Sequence, residues 1–237
     1  MTLQQSAVLN RLLALLVPAD FDLLAPRLEP VQLPLRTVLA EPDQPVEHVY
    51  FMERGLGSIL AISAEGQQAE AGIFGRDGFA PTALAFGADR TINSIVVQAE
   101  GEGHRITRAE LVETMGQSPA LATMLALYIQ TLQYQSGFTA LSNAVHPVDE
   151  RLARWLLMCH DRSDGDEMAV THEFLSAMLA VRRPTVTTAL HVLEGNGFIA
   201  AERGYITMRN REAMERFAQD AYGKPEAEYR RLIGSMR

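Results

Sequence analysis

One stretch of the chain decides how the rest can be arranged. Between Pro119 and Val145, the residues Met124, Leu127, Thr131, Tyr134, Phe138, Leu141 and Val145 recur at alternating spacings of 3 and 4. That alternation is a heptad, and it predicts one unbroken helix over about 118–145. Pro119 suits the first turn, and His146-Pro147 ends the run. Leu121, Leu125, Tyr128 and Leu132 form a second apolar stripe on the same helix. A helix with two apolar stripes has two surfaces to cover. The spacing therefore predicts that one stripe packs on its own domain. The seven seam residues, Thr131 being the polar one, are expected to meet a second copy of the chain.

This helix divides two regions of different character. Before it, residues 3–28 carry Leu9, Leu12, Leu13, Leu16 and Val17 at helical spacing, a pattern that Pro18 is expected to end, with a short helix following at 20–28. Residues 30–107 hold short Val-, Ile- and Phe-rich runs at 46–52, 56–62, 71–74 and 94–99. Glycine turn signals punctuate them at 54–55, 65–66, 75–78, 86–89 and 101–103, which predicts an antiparallel barrel or sandwich. Residues 79–86 are expected to form a short helix inside it. After the long helix, Leu152, Trp155, Leu156 and Cys159 predict a helix, and 161–166 reads as a polar loop. The stretch after Tyr222 reads as a mobile polar tail.

Composition excludes several classes. The chain has 237 residues, 47% hydrophobic and 21% charged, enough for sizeable cores. A single cysteine, Cys159, excludes a disulfide framework and a cysteine-ligated cluster within one chain, and it reads as a packed thiol. The six histidines show no metal-ligand spacing, and His48 and His104 in the strand region read as hydrogen-bonded residues rather than haem ligands. No metal and no cofactor is expected. The longest early apolar run, Leu12–Val17, is too short for a signal or a membrane span, so a cytoplasmic protein with no membrane partner is expected. No nucleophile-elbow, phosphate-loop or zinc-protease motif is present, and Asp161, Asp164, Asp166 and Glu167 read as a solvated turn, so an enzyme is not expected.

The net charge of −8 argues against a nucleic-acid partner only on average. Residues 182–211 carry five Arg against Glu194 and Glu202, a local island of +3. A DNA footprint is local, so this island is what counts. It coincides with two short helices: Thr171 can cap the first, Ala180-Val181-Arg182 makes the turn, and Pro184 opens the second. Phe198–Ala201 and Tyr205–Met208 then flank Glu202-Arg203-Gly204 as a hairpin. Together these predict a winged helix-turn-helix. Arg182 and Arg183 stand at the N-terminus of the second helix, where base contacts concentrate, and Arg suits the O6/N7 edge of guanine. Thr185, Thr187, Thr188 and His191 make its outer face, opposite Val186, Leu190 and Leu193. Thr171, Arg182, Arg203 and Arg209 are candidate phosphate contacts, which orient the protein without reading sequence.

This layout resembles the Crp/Fnr family of bacterial regulators. The most specific piece is residues 170–199, from Val-Thr-His-Glu-Phe to Leu-Glu-Gly-Asn-Gly-Phe-Ile, which is similar to that family's helix-turn-helix. Residues 49–58, Val-Tyr-Phe-Met-Glu-Arg-Gly-Leu-Gly-Ser, are similar to a strand–turn–strand of its cyclic-nucleotide-binding-like β-roll, and the heptad helix falls where the family has its dimer helix. The resemblance implies an α+β fold. Its parts are an N-terminal antiparallel β-roll (a double-stranded β-helix), a long dimerisation helix and a C-terminal winged helix-turn-helix. The corresponding boundaries are 1–117, 118–145 and 146–222, with a tail at 223–237. It implies a homodimer on a palindromic operator, with RNA polymerase a further candidate partner.

The departures bear on the ligand. The family's Gly-Glu pair for the ribose falls on Pro81-Thr82, so no carboxylate is available there. Its Arg-Ser pair for the phosphate falls on Ile92-Asn93, with Arg90-Thr91 two residues earlier. Its adenine-contacting Thr-Ser pair falls on Ser136-Gly137. Cyclic AMP is therefore not expected as the effector, and Thr82, Arg90, Thr91 and Ser136 are the candidate lining of any other. On the reading helix, the family's Arg, Glu and Arg fall on Arg183, Pro184 and Thr188, so only the first is kept and the operator should differ. The alternative function is a sensor module acting through a protein partner.

Overall fold

The computed structural model describes residues 3–236. The chain begins with a 3₁₀ turn at Gln5–Ala7, then α1 (Arg11–Ala14), α2 (Pro18–Leu24) and a second 3₁₀ turn at Ala25–Arg27. The helical spacing of Leu9–Val17 does not give the continuous helix it suggests. Asn10 is extended and caps α1, its Oδ1 accepting from the Leu13 N–H (3.3 Å). Its side-chain amide donates to Met52 O (3.0 Å) and Gly78 O (2.8 Å). The buried Glu53 carboxylate accepts the N–H groups of Leu9 and Asn10. These long-range hydrogen bonds hold the segment open where local periodicity would close it. Pro18 starts α2 at its first turn rather than ending the preceding helix.

Eight strands follow: β1 (Glu29–Leu33), β2 (Val38–Ala40), β3 (His48–Met52), β4 (Leu56–Ile62), β5 (Gln68–Phe74), β6 (Phe79–Ala80), β7 (Ser94–Ala99) and β8 (Gly101–Thr107). They form two antiparallel sheets, ordered β1-β8-β3-β6 and β2-β7-β4-β5. Phe51, Phe74, Phe79, Ile95, Val97 and Ile106 fill the core of this roll. The expected short helix is a 3₁₀ turn confined to Thr82–Phe86, because Phe79 and Ala80 pair with β3. The glycines at 101 and 103 do not make the expected turn; they lie inside β8. A Cβ on Gly101 would stand 2.1 Å from Arg54 O, and one on Gly103 would stand 2.3 Å from Phe51 O. They serve close strand approach, the other use of glycine in sheets.

α3 (Arg108–Gln117) was not signalled by apolar spacing, yet it has a full capping box: Thr107 Oγ1 accepts from the Glu110 N–H, and Glu110 accepts from the Thr107 N–H. α4 (Pro119–Val145) runs the expected length, with Ser118 as its cap. Its stripe of Leu121, Leu125, Tyr128 and Leu132 is buried against the roll. Gln135 adds a fixed register, its amide donating to Ile73 O (3.1 Å) and its carbonyl accepting from the Ile73 N–H (2.7 Å).

The C-terminal half contains α5 (Val148–Arg162), β9 (Glu167–Ala169), α6 (His172–Leu179), α7 (Arg183–Gly195), β10 (Ile199–Glu202), β11 (Tyr205–Met208) and α8 (Arg211–Ala218), then a 3₁₀ turn at Gln219–Ala221. Its core gathers Leu156, Leu175, Val186, Leu190, Leu193 and Met214, and it continues into the roll through Leu56, Leu60 and Ile73. The polar loop starts only at Ser163, since Asp161 and Arg162 lie in α5 and are buried. Of the acidic run, Asp161 is buried, whereas Asp164 and Asp166 in the turn and Glu167 at the start of β9 are exposed as expected, the first two of these in ion pairs. Asp161 pairs with Arg211, Asp164 with Arg54 and Arg76, and Asp166 with His160.

The stretch after Tyr222 is not a mobile tail. It forms α9 (Lys224–Leu232), docked on α4 with Pro225, Glu226 and Tyr229 buried. The Tyr229 hydroxyl donates to Asp77 O (2.6 Å), and Met236 is buried in the same core as the roll.

Candidate nucleic-acid interface

The geometry of the helix pair follows from its punctuation. Thr171 Oγ1 accepts from the Phe174 N–H (3.2 Å), and Glu173 sits in the first turn of α6, where the helix dipole favours it. Ala180 closes α6 in the left-handed region at φ 51°, and the Ser176 hydroxyl donates to Val181 O to hold the turn. Arg182 is the N-cap of α7, and Pro184 lies in its first turn. Val186, Ala189, Leu190 and Leu193 are buried against α6 and α5. Register along α7 then leaves Arg182, Arg183, Thr185, Thr188 and His191 exposed and Thr187 half-buried. The hydroxyls of Thr187 and Thr188 donate to the carbonyls of Arg183 (3.2 Å) and Pro184 (3.1 Å).

β10 and β11 form the expected hairpin, with Gly204 at φ 88° in its turn, and β9 adds a third strand. Arg203 stands exposed at the tip, and Arg209 is exposed beyond β11. The hairpin is fixed relative to α7 by Glu194, whose carboxylate accepts the Ala201 N–H (2.8 Å). Between the N-terminus of α6, α7 and the hairpin lies an open groove of about 830 Å³. Thr171, Arg183, His191 and Arg203 line it. The structure thus gathers four of the nine predicted DNA-contacting residues around one concavity, with Arg182, Thr185 and Thr188 exposed on the adjacent helix face.

Three contributors escaped the sequence reading. Glu173 Oε2 lies 3.1 Å from Arg183 Nη2 and 4.0 Å from Arg36 Nη2 of the roll. All three side chains are well exposed, so these pairs are weak. His172 faces Thr187 across the helix pair, with 3.4 Å between Nδ1 and Oγ1. No periodicity links such pairs; those to Arg183 and Thr187 follow from the crossing of α6 and α7, and that to Arg36 from the nearness of the roll.

The effector candidates are not assembled in this way. Arg90 pairs with its neighbour Asp89 (3.2 Å), the Ser136 hydroxyl donates to Leu132 O (3.1 Å), and Thr91 Oγ1 accepts from the Asn93 N–H (3.2 Å). Thr82 is half-buried at the start of its 3₁₀ turn. Between the roll and α4 the space is filled by rings, Phe51–Phe79 at 5.5 Å and Phe79–Tyr128 at 5.2 Å.

The heptad face is divided. Thr131 is buried within its own chain, and its hydroxyl donates to Tyr128 O (2.7 Å). It lines a small cavity with Glu226 and Tyr229 of α9, so it faces inward rather than toward a partner. Phe138 lies half-buried beneath the Lys224 ammonium, at 5.8 Å. Tyr134, Leu141 and Val145 are exposed, and Met124 and Leu127 are half-buried.

Elsewhere, Cys159 is buried, and burial pushes its thiol well above the usual range. His104 Nδ1 lies 3.3 Å from Glu53 Oε1. Among the described residues, no group of three His, Cys, Asp or Glu side chains could hold a metal ion, and no helix is long and apolar enough to cross a membrane.

Residues 150–217 match the Crp-like helix-turn-helix domain family. No curated protein matches the chain in sequence. Solved structures do match in fold. FixK2 from Bradyrhizobium japonicum superposes with a TM-score of 0.67 at 17% identity, over 80% of this chain and 96% of that one. A Crp/Fnr-family transcriptional regulator from Thermus thermophilus gives 0.64 at 21%, over 81% and 98%. The c-di-GMP-responsive global regulator CLP of Xanthomonas campestris gives 0.63 at 18%, over 81% and 99%.

Proposed function

We propose that this chain, a Crp/Fnr-type fold ending in a Crp-like helix-turn-helix domain, is a homodimeric transcriptional regulator that binds a palindromic DNA operator. The observation that carries the reading is the two-sided α7. Its inner side is hydrocarbon, its outer side offers Arg182, Arg183, Thr185, Thr188 and His191, and its one carboxylate, Glu194, is engaged by the Ala201 N–H of the hairpin. A face of that kind beside a wing suits a major groove, with Arg183 as the guanine contact and Arg182, Thr171, Arg203 and Arg209 on phosphates. The exposed apolar residues Tyr134, Leu141 and Val145 on α4 supply the self-association surface. Two-fold pairing there would present the two reading helices about 34 Å apart, one helical turn of DNA.

In this reading residues 1–117 sense, 118–145 dimerise and 146–222 bind DNA. The chain acts in the cytoplasm and is not an enzyme; RNA polymerase is the candidate protein partner. Cyclic AMP is not the effector. Thr82 offers the ribose no carboxylate, and Arg90 already has Asp89. The test is selection of bound sequences from random duplex DNA by purified protein, with and without cyclic AMP. Enrichment of one palindrome without nucleotide is expected. Enrichment only with nucleotide would overturn the effector argument. No enrichment in either arm would favour the protein-partner alternative.

A further inference from the structure

The cleft between the roll and the DNA-binding half contains an arrangement that the DNA reading does not use. Arg54 lies in the turn between β3 and β4, and Arg76 in the turn between β5 and β6. Both donate to one carboxylate. Arg54 Nη1 is 2.7 Å from Asp164 Oδ2, and Arg76 Nη2 is 2.5 Å from Asp164 Oδ1. One guanidinium on each oxygen is how proteins recognise carboxylate and phosphate groups. The hydrogen bond from Arg76, with help from Arg54 and Arg11, holds the Asp164 carboxyl below its usual range.

The two partners are unequally fixed. Arg76 is buried, and its Nε also donates to Arg162 O (3.3 Å), so it cannot leave. The Asp164 side chain is half exposed on the short loop joining α5 to β9. A buried guanidinium needs an anion, but nothing requires that anion to belong to the chain. A cavity of about 170 Å³ opens beside the pair, with Gly55 and Ser163 in its wall. Glu100 and Glu167 stand exposed at its edge, and Glu102 is 3.6 Å from Arg54 Nε. The volume limits the occupant to a compact group, and because those carboxylates repel an anion, its binding must come from the two guanidiniums.

We propose that Arg54 and Arg76 form a binding site for a small phosphate dianion, free or as a monoester, which Asp164 occupies from within the chain in this conformation. The site stands on its own geometry. Its coupling to DNA rests on the regulator reading. Asp164 lies four residues before Met168 of β9, which pairs with Ile206 of the wing, so replacing the carboxylate releases the tie between roll and wing.

The test is isothermal titration of the full chain with inorganic phosphate, and separately with glycerol phosphate, against chloride at equal ionic strength. Asp164→Ala removes the tethered competitor, so phosphate should bind it about tenfold more tightly than the parent. Its thermal midpoint should fall by roughly 5 °C and return in phosphate. Adding Arg54→Ala, at a half-exposed position, should abolish both effects. Asp164→Asn keeps the shape if the alanine variant does not fold. Equal binding by the parent and both Asp164 variants, or gain retained without Arg54, would overturn the site. Tighter glycerol phosphate binding would assign a monoester, and equal binding phosphate itself. With phosphate bound, affinity for the selected duplex should change in the parent and not in Arg54→Ala. An unchanged affinity would overturn the coupling alone. Failure of the regulator reading would show instead as no selected duplex, with the calorimetry intact.

Discussion

Glu70 is a carboxylic acid placed where the roll meets α5, and its ionisation should govern how the protein's stability depends on pH. It is buried, accepting from the Ser58 hydroxyl of β4 (2.8 Å) and from Trp155 Nε1 of α5 (2.9 Å). Met178 Sδ of α6 stands 3.6 Å from the same Ser58 hydroxyl. Burial raises the Glu70 pKa from its ordinary 4.5 to about 7, against the opposing pull of those two hydrogen bonds and of Arg154 and Arg162. A raised carboxyl pKa means that the folded state holds a proton the unfolded state has released. Below pH 4.5 both states are protonated and the group contributes no difference. Between about pH 4.5 and 7 stability falls as pH rises, and above 7 the loss is complete. At 1.36 kcal/mol for each pKa unit the total is about 3 kcal/mol. Glu70→Gln keeps the shape and the acceptor for Trp155 but cannot ionise. Its amide can donate to Ser58, whose hydroxyl can turn to accept. Chemical denaturation of both proteins should therefore give nearly equal stabilities at pH 5. At pH 8 the variant should be more stable by about 2–3 kcal/mol. A difference that does not change between pH 5 and pH 8 would refute the reasoning, because a neutral packing effect has no pH dependence.

Other expectations follow from the same geometry. Arg183→Ala should weaken operator binding by about 1–3 kcal/mol and relax base preference at one position per half-site, whereas Arg203→Ala should weaken all duplexes alike and lower the salt dependence; fluorescence anisotropy across a salt series separates the two. Leu141→Glu should make the protein monomeric in sedimentation velocity, and an unchanged dimer would remove α4's exposed face from the interface. Deleting residues 223–237 should lower the thermal midpoint by roughly 6–12 °C, since it takes the buried Tyr229 and Met236 out of the core and uncovers the residues they pack on. Thr107→Ala should cost about 1 kcal/mol in chemical denaturation through loss of the α3 cap.

The helix-turn-helix was legible because its determinants are local. Thr171, the turn at Ala180, Pro184 and the hairpin glycine act within a few residues of where they stand. The long helix was legible for the same reason, but its partners were not. Thr131 belongs to the heptad and yet is covered by α9, whose docking depends on Tyr229 reaching Asp77, 152 residues away. The ion pairs of the acidic run at 161–166 were hidden because the cations are remote: Arg54 is 110 residues from Asp164, and Arg211 is 50 from Asp161. Glycine is ambiguous in the other direction. A turn at Gly204 and close strand approach at Gly103 present the same letter, and only the position of the neighbouring carbonyl distinguishes them.

The junction of roll and α5 is built as much from charge as from hydrocarbon. Arg162 and Asp77 are both nearly inaccessible and lie 2.7 Å apart. Burial works against the Arg162 charge, and Asp77 and Asp161 more than offset it. Such a pair adds little net stability compared with well-packed apolar residues, but separating it leaves two buried charges unpaired. An apolar surface can slide by fractions of a side chain with small changes in energy. A buried ion pair holds one register or releases it. Asp77 and Arg76 are adjacent in the roll, and Arg162 and Asp164 lie two apart on α5 and its loop, so the two pairs tie the same two segments together. An effector acts on such a junction only through a difference in its affinity for the two positions. The exposed end of this double clamp, at Asp164, is where a competing anion reaches it at the least cost in buried charge.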